Sequence, residues 1–220
     1  MKIILILSDK LDFNESGICN PDSFVAIQEK EKEASIIDRT VSEKTKANYR
    51  YFASSHPSSS ETIQKLFGIQ EITIEPLLDE VIFTSTLTNE ASYATYMKEA
   101  IKNWKKNEKN QKETFNDTKE KCELLIKKLE DLNEDVVLVS HLHKLETLIS
   151  ILKKHGYLIE KPRLFGIKHL DRIRASKKNM HCGGCKHNCL LTNPKCDIGK
   201  DKAELRGIEI DKNTNITSRL

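Results

Sequence analysis

Two unbroken apolar runs stand out in a largely polar chain, Ile3-Ile4-Leu5-Ile6-Leu7 and Val136-Val137-Leu138-Val139. Runs this short, rich in β-branched residues and bounded by polar residues, predict strands buried on both faces. Tyr49 to Ala53 predicts a third strand. Glu71–Glu75, Val81–Phe83, Arg163–Ile167 and Leu205–Ile210 are further extended candidates. Between them the apolar period changes to that of a helix. Ala94, Met97, Ile101 and Trp104 form one stripe; Phe115, Thr118, Cys122, Leu125, Leu129 and Leu132 form a longer one. Thr114 and Asp117 are placed to make a capping box for the second, and Cys122 reads as a small core residue. Leu145, Leu148, Ile149 and Leu152 mark another helix, with Lys153, Lys154 and His155 at its negative end and Gly156 as its stop. Glu61 to Phe67 predicts a short helix closed by Gly68, and the segment from Pro21 to Lys46 is helical in part.

Strand and helix in alternation predict an α/β fold, a three-layer sandwich with a mostly parallel central sheet. Sites in such sheets form beyond the carboxyl ends of the strands. Three loops are therefore expected to meet: Ser8-Asp9-Lys10, Ser54 to Ser60, and Ser140-His141-Leu142-His143.

Those loops, in their order along the chain, resemble the histidine phosphatase superfamily (phosphoglycerate-mutase-like). The resemblance rests on the first buried strand running into Ser8, on Ser54-Ser55-His56-Pro57-Ser58-Ser59-Ser60-Glu61-Thr62, and on Val136-Val137-Leu138-Val139-Ser140-His141. Pro76-Leu77-Leu78-Asp79-Glu80 is similar to the family segment that delivers an acidic proton donor, and Glu113-Thr114-Phe115 to the start of the helix before the last strand. The family implies a histidine nucleophile and two arginines that neutralise the phosphoryl oxygens. Here the nucleophile position falls on Ser8, the first arginine on Leu7 and the second on Ser58. Only His141 and Glu80 survive, so the resemblance implies a degenerate site with His141, Glu80 and Ser8 as its catalytic remnants. Lys10, Ser54, Ser55 and Ser58 are the candidate contacts to an anionic ligand. Taken without the resemblance, His141 is a buried structural histidine, His143 a surface residue at a helix start, and Glu80 an exposed carboxylate.

The four cysteines Cys182, Cys185, Cys189 and Cys196 follow a C-x2-C-x3-C-x6-C spacing. Thiolates this close converge readily on one ion, and Gly183-Gly184 permits the tight turn between the first two. The pattern resembles a short cysteine motif attached to unrelated bacterial proteins. Zinc is the expected metal, an iron–sulfur cluster the alternative. Six lysines against two aspartates lie between Lys177 and Lys202, but no aromatic residue accompanies them, so they read as a solvated face rather than a nucleic-acid surface.

Bulk properties add limits. The 220 residues suit one large domain with a small appendage, here 1–175 and 176–220. A net charge of +3 gives no strong pull toward nucleic acid or membrane. No apolar run approaches the roughly 20 residues a bilayer requires, and the opening run lacks a cleavage site. These features lead to the expectation of a cytoplasmic, reducing setting, in which clustered cysteines are ligands rather than disulfides. The combined expectation is a degenerate histidine-phosphatase-like protein with a metal-binding cysteine knuckle. Its role would be binding or regulation through a small anionic ligand or a protein partner. An active phosphatase or other hydrolase using His141 and Glu80, and an iron–sulfur redox protein, are the alternatives.

Overall fold

A computed structural model describes residues 1–13, 17–38, 40, 49–68, 70–161, 166–177, 181–183, 189–205 and 210. By internal contacts the chain forms two units. One is Met1–His155 with Ile159–Ala175; the other is Gly156–Leu158 with Ser176–Leu220.

The strands are β1 (Lys2–Leu7), β2 (Ile18–Cys19), β3 (Arg50–Ala53), β4 (Ile72–Ile74), β5 (Ala91–Ser92), β6 (Val136–Ser140), β7 (Tyr157–Glu160) and β8 (Arg172–Lys177). Six of them make one sheet in the order β4-β3-β6-β1-β8-β7, and β2 and β5 form a separate antiparallel pair. The neighbours β4-β3, β3-β6 and β6-β1 are all parallel, so the α/β class with a mostly parallel sheet is the fold observed. All five residues of β6 are buried, as expected of a strand flanked on both sides.

The helices are α1 (Pro21–Glu33), α2 (Pro57–Phe67), α3 (Tyr93–Lys105), α4 (Phe115–Leu132), α5 (Leu142–Lys154) and α6 (Asp197–Leu205). Against one part of the sheet Ile63, Leu66 and Phe67 of α2 pack on Ile6, Tyr51, Val137 and Val139. A second cluster joins Phe24 and Ile27 of α1 to Tyr96, Ala100 and Trp104 of α3 through Val81 and Phe83. The capping box at Thr114 forms: its hydroxyl accepts from Asp117 N at 3.2 Å, and Asp117 Oδ2 accepts from Thr114 N at 2.8 Å. Cys122 lies fully inside the core.

Several elements differ from the pattern reading. The α2 helix starts at Pro57 rather than Glu61, because proline at the first position presets the backbone and needs no N–H partner. Val81–Phe83 is no strand. It is extended backbone pinned from the side, with Gln28 Nε2 donating to Phe83 O and Phe83 N donating to Gln28 Oε1, both at 2.9 Å. Leu205 is the last residue of a helix, and most of the extended candidate Leu205–Ile210 lies outside the described residues. Most of Arg163–Ile167 lies outside the described residues, and the strand in that region is β7, immediately after Gly156.

In the second unit His181 and Leu190 form an antiparallel bridge, and Cys182 N donates to Cys189 O at 2.9 Å. The Cys196 carbonyl accepts from Gly199 N and Lys200 N at the start of α6. Cys182, Leu191 and Ala203 form a small buried cluster, with Cys189 packed against it.

Candidate functional site

Parallel strands leave their carboxyl ends on one edge, and there the three polar loops meet. The register pairs Leu7 with Ser140 and Ala53 with Val139. Backbone bonds carry it one residue further: Ser8 N donates to Ser140 O at 2.9 Å and Ser54 N to Val139 O at 3.2 Å. Ser8, Ser54 and His141 are therefore first residues off three adjacent strands.

Their side chains form a connected group. Ser8 Oγ and His141 Nδ1 are 3.2 Å apart. His141 Nε2 lies 3.3 Å from Ser54 Oγ and 3.5 Å from Ser59 Oγ, and those two hydroxyls are 2.7 Å apart. Both imidazole nitrogens are thus engaged by hydroxyls. Burial, with His56 and His169 nearby, pushes the His141 imidazole down to about 3, so it is neutral near physiological pH.

A cavity of about 620 Å³ opens beside this group. Ser8, His56, His141, His143 and Glu80 contribute to its lining, as do Lys10, Lys32 and Lys168, with Val81, Phe83, Tyr93 and Met97 supplying apolar wall. No arginine is among the described lining residues. His56 is buried, stands with its ring 4.2 Å from that of His141, and is driven down to about 4 by burial. His169 Nδ1 donates to the Ser8 carbonyl at 2.6 Å. Sequence reading passed over His56 and His169 as members of the site. They lie 85 and 28 residues from His141 in the chain, and no spacing rule joins them.

Glu80 is not the exposed carboxylate that its segment suggested. The turn Pro76–Leu78 before it is tied to β6 by Ser140 Oγ, which donates to Leu78 O. That delivers the Glu80 carboxylate to the start of α5, where it accepts from His143 N at 2.9 Å and Lys144 N at 3.2 Å. Burial outweighs these bonds and pushes its carboxyl up to about 7. His143 is not a surface residue either: its ring meets Phe83 edge-on at 5.1 Å, and its side chain is only 17% exposed.

The serine-rich loop offers little to an anion. Pro57 has no N–H, and three of its neighbours spend theirs internally. Ser55 N donates to Asp79 Oδ1, His56 N to Ser54 Oγ and Ser59 N to His56 O. Ser54, Ser55 and Ser58 stand outside the cavity lining; Ser54 and Ser58 are buried and Ser55 faces solvent. The Thr62 hydroxyl accepts from Asp9 N at 3.0 Å and donates to Ser58 O at 2.7 Å, which fixes the β1 loop to α2. Asp9 is further held by Lys65 Nζ at 2.6 Å.

Of the cysteine motif, Cys182, Cys189 and Cys196 are described and Cys185 lies outside the described residues. Among the described residues no three His, Cys, Asp or Glu side chains gather closely enough to hold a metal ion. No described helix is long and apolar enough to cross a membrane.

The family model of the histidine phosphatase superfamily (branch 1) matches residues 47–174, leaving β1 and Ser8 outside the match. Among solved structures, a mycobacterial glucosyl-3-phosphoglycerate phosphatase is similar at 15% identity, with 70% of this chain and 79% of that chain covered and a TM-score of 0.43. A phosphoserine phosphatase variant from Entamoeba histolytica, solved with phosphoserine, is 18% identical, with 70% and 80% covered and a TM-score of 0.43. The structure titled mycobacterial hydrolase 1 is 11% identical, with 79% and 87% covered and a TM-score of 0.44. No curated protein matches the chain.

Proposed function

The chain belongs to the histidine phosphatase superfamily (branch 1), and from that premise we propose that it keeps the superfamily's pocket for binding and does not transfer phosphoryl groups through a histidine. One observation carries the reading. The residue leaving β1 into the pocket is Ser8, whose hydroxyl is bonded to His141, and among the described residues no guanidinium lines the cavity beside it. Phosphoryl transfer rests on electrostatic stabilisation of the charge spread over the transferring group. Here two of the cavity's imidazoles, His56 and His141, are held neutral by burial, and neither supplies that charge. The role supported is recognition of a small molecule or partner.

The 3.2 Å contact of Ser8 with His141 favours one other reading, hydrolysis with Ser8 as nucleophile and His141 as base. The imidazole is a poor base for that purpose. An efficient general base has a pKa near the working pH, and burial holds this one at about 3. Incubation with p-nitrophenyl phosphate and p-nitrophenyl acetate tests both readings against His141→Ala. Equal, background release from wild type and variant is expected. Phosphate-ester turnover lost in His141→Ala would overturn the binding role, and ester turnover lost in it would establish the serine hydrolase.

The cysteine motif supports a second site, for zinc. The antiparallel bridge sets Cys182 and Cys189 across from each other, and Cys196 lies at the start of α6. These described thiols do not form a site alone; a tetrahedral zinc requires Cys185 and Cys196 to close on the Cys182–Cys189 pair. Elemental analysis of anaerobically purified protein should return one zinc per chain, lost in Cys182→Ser. Brown protein carrying iron and sulfide would replace zinc by a cluster, and metal-free protein would remove the proposal.

A further inference from the structure

Two imidazoles of the pocket have a buried nitrogen with no hydrogen-bond partner among the described residues, His56 at Nε2 and His143 at Nδ1; the latter stands 3.8 Å from the Glu146 carboxylate, which leaves His56, and neither is His141. His141 has hydroxyls at both nitrogens. His56 lines the same cavity, is 7% exposed, and its buried Nε2 has no hydrogen-bond partner among the described residues. Leaving a buried polar atom unmet costs on the order of 1–3 kcal/mol, and such atoms are rare enough in folded proteins to call for an explanation. A ligand group is one. The rest of the cavity says what the ligand would look like. Its carboxylates are already held: Asp9 by Lys65, Glu80 by the α5 amides, and Glu31 by the Tyr93 hydroxyl at 3.0 Å. Its wall carries Phe83, Tyr93 and Met97, and its ammonium groups include those of Lys10 and Lys168, both on the solvent-exposed side.

We propose that His56 is the ligand-contacting residue of this pocket, and that the ligand is a small aromatic carboxylate with a hydrogen-bonding group at its far end. The far group meets His56 Nε2, the ring lies along Phe83 and Tyr93, and the carboxylate reaches Lys10 and Lys168. This places the anion at the solvent side and a neutral polar group inside, the reverse of what a pocket built to hold a phosphate at its floor requires. Burying a dianion beside His56, His141 and Ser8 would leave its charge uncompensated. The inference rests on the binding role proposed above.

Nitrogen-15 spectra of the histidine side chains test it, with 4-hydroxybenzoate, benzoate and inorganic phosphate as probes on the full chain. The expected result is a shift at His56 Nε2 on adding 4-hydroxybenzoate, which should bind about tenfold tighter than benzoate, the worth of one buried hydrogen bond. In His56→Phe the two benzoates should bind alike. Should that variant misfold, His56→Gln retains a hydrogen-bonding amide and should keep part of the difference. Equal binding of the two benzoates to wild type, or inorganic phosphate binding tightest with the shift at His141, would overturn the assignment. Release of p-nitrophenol from its phosphate in the same preparation would strike the non-catalytic reading alone.

Discussion

Glu80 and two of the pocket imidazoles, His56 and His141, respond to pH in opposite senses. The Glu80 carboxyl is raised by burial from 4.5 to about 7, so the folded state binds the proton more tightly than the unfolded chain does. Its contribution to stability is complete below 4.5 and is lost as pH rises through 7. His56 and His141 are lowered from 6.5 to about 4 and about 3, so their contribution is complete above 6.5 and is lost as pH falls. Glu80→Gln removes the carboxyl's part. Relative to wild type the variant should gain on the order of 2 kcal/mol between pH 4.5 and 7, read from urea midpoints across that range. A constant offset between the two proteins would contradict the burial argument. None of this was visible in the chain. Only the resemblance singled Glu80 out; taken alone it reads as an exposed carboxylate until Ser140 is seen holding Leu78, and a hydrogen bond across 62 residues leaves no local trace.

At the scale of elements, legibility followed burial. β1, β3 and β6 were readable because buried strands must be apolar along their whole length. α4 was readable because a one-sided stripe and a capping box coincide. Thr114→Ala should cost about 1 kcal/mol of global stability, measured by thermal or urea unfolding, because it leaves the Asp117 N–H without its cap. A loss below a few tenths would mean that the box at this exposed end is decorative. α6 went unread for the converse reason. Its large apolar residues Ile198 and Leu205 are 57% and 86% exposed, and of its apolar side chains only the small Ala203 is buried, so no stripe marks its face. What defines that turn is small size: a Cβ on Gly199 would meet Pro194 Cβ at 2.9 Å and stand 3.7 Å from Cys189 Sγ. Packing by absence of a side chain has no periodic signature.

For the whole molecule, the parallel arrangement of β3, β6 and β1 explains why three distant polar loops form one pocket, and this much follows from alternating strands and helices alone. The identity of the pocket's floor does not, because His56, His141 and His169 come together only after the sheet is built. The separate contact unit of Gly156–Leu158 and Ser176–Leu220 has its own consequence for the zinc proposal. Metal binding to the thiols is folding energy for the unit that carries them. Chelation should therefore raise amide exchange in residues 181–205 while exchange in β1 and β6 stays slow, as hydrogen-exchange mass spectrometry would report. Equal loosening in both would tie the metal to the entire fold instead.

The line of polar atoms from Ser59 through Ser54 and His141 to Ser8 can be ordered in only two directions. A hydroxyl that donates at one end obliges its neighbour to donate onward, and the imidazole takes whichever tautomer agrees. A ligand that presents an acceptor to Ser8 would thus select one direction, and one that presents a donor the other. The choice made at the strand β1 loop would then be written at Ser59 inside α2, as a proton moved from one ring nitrogen to the other with no heavy atom displaced.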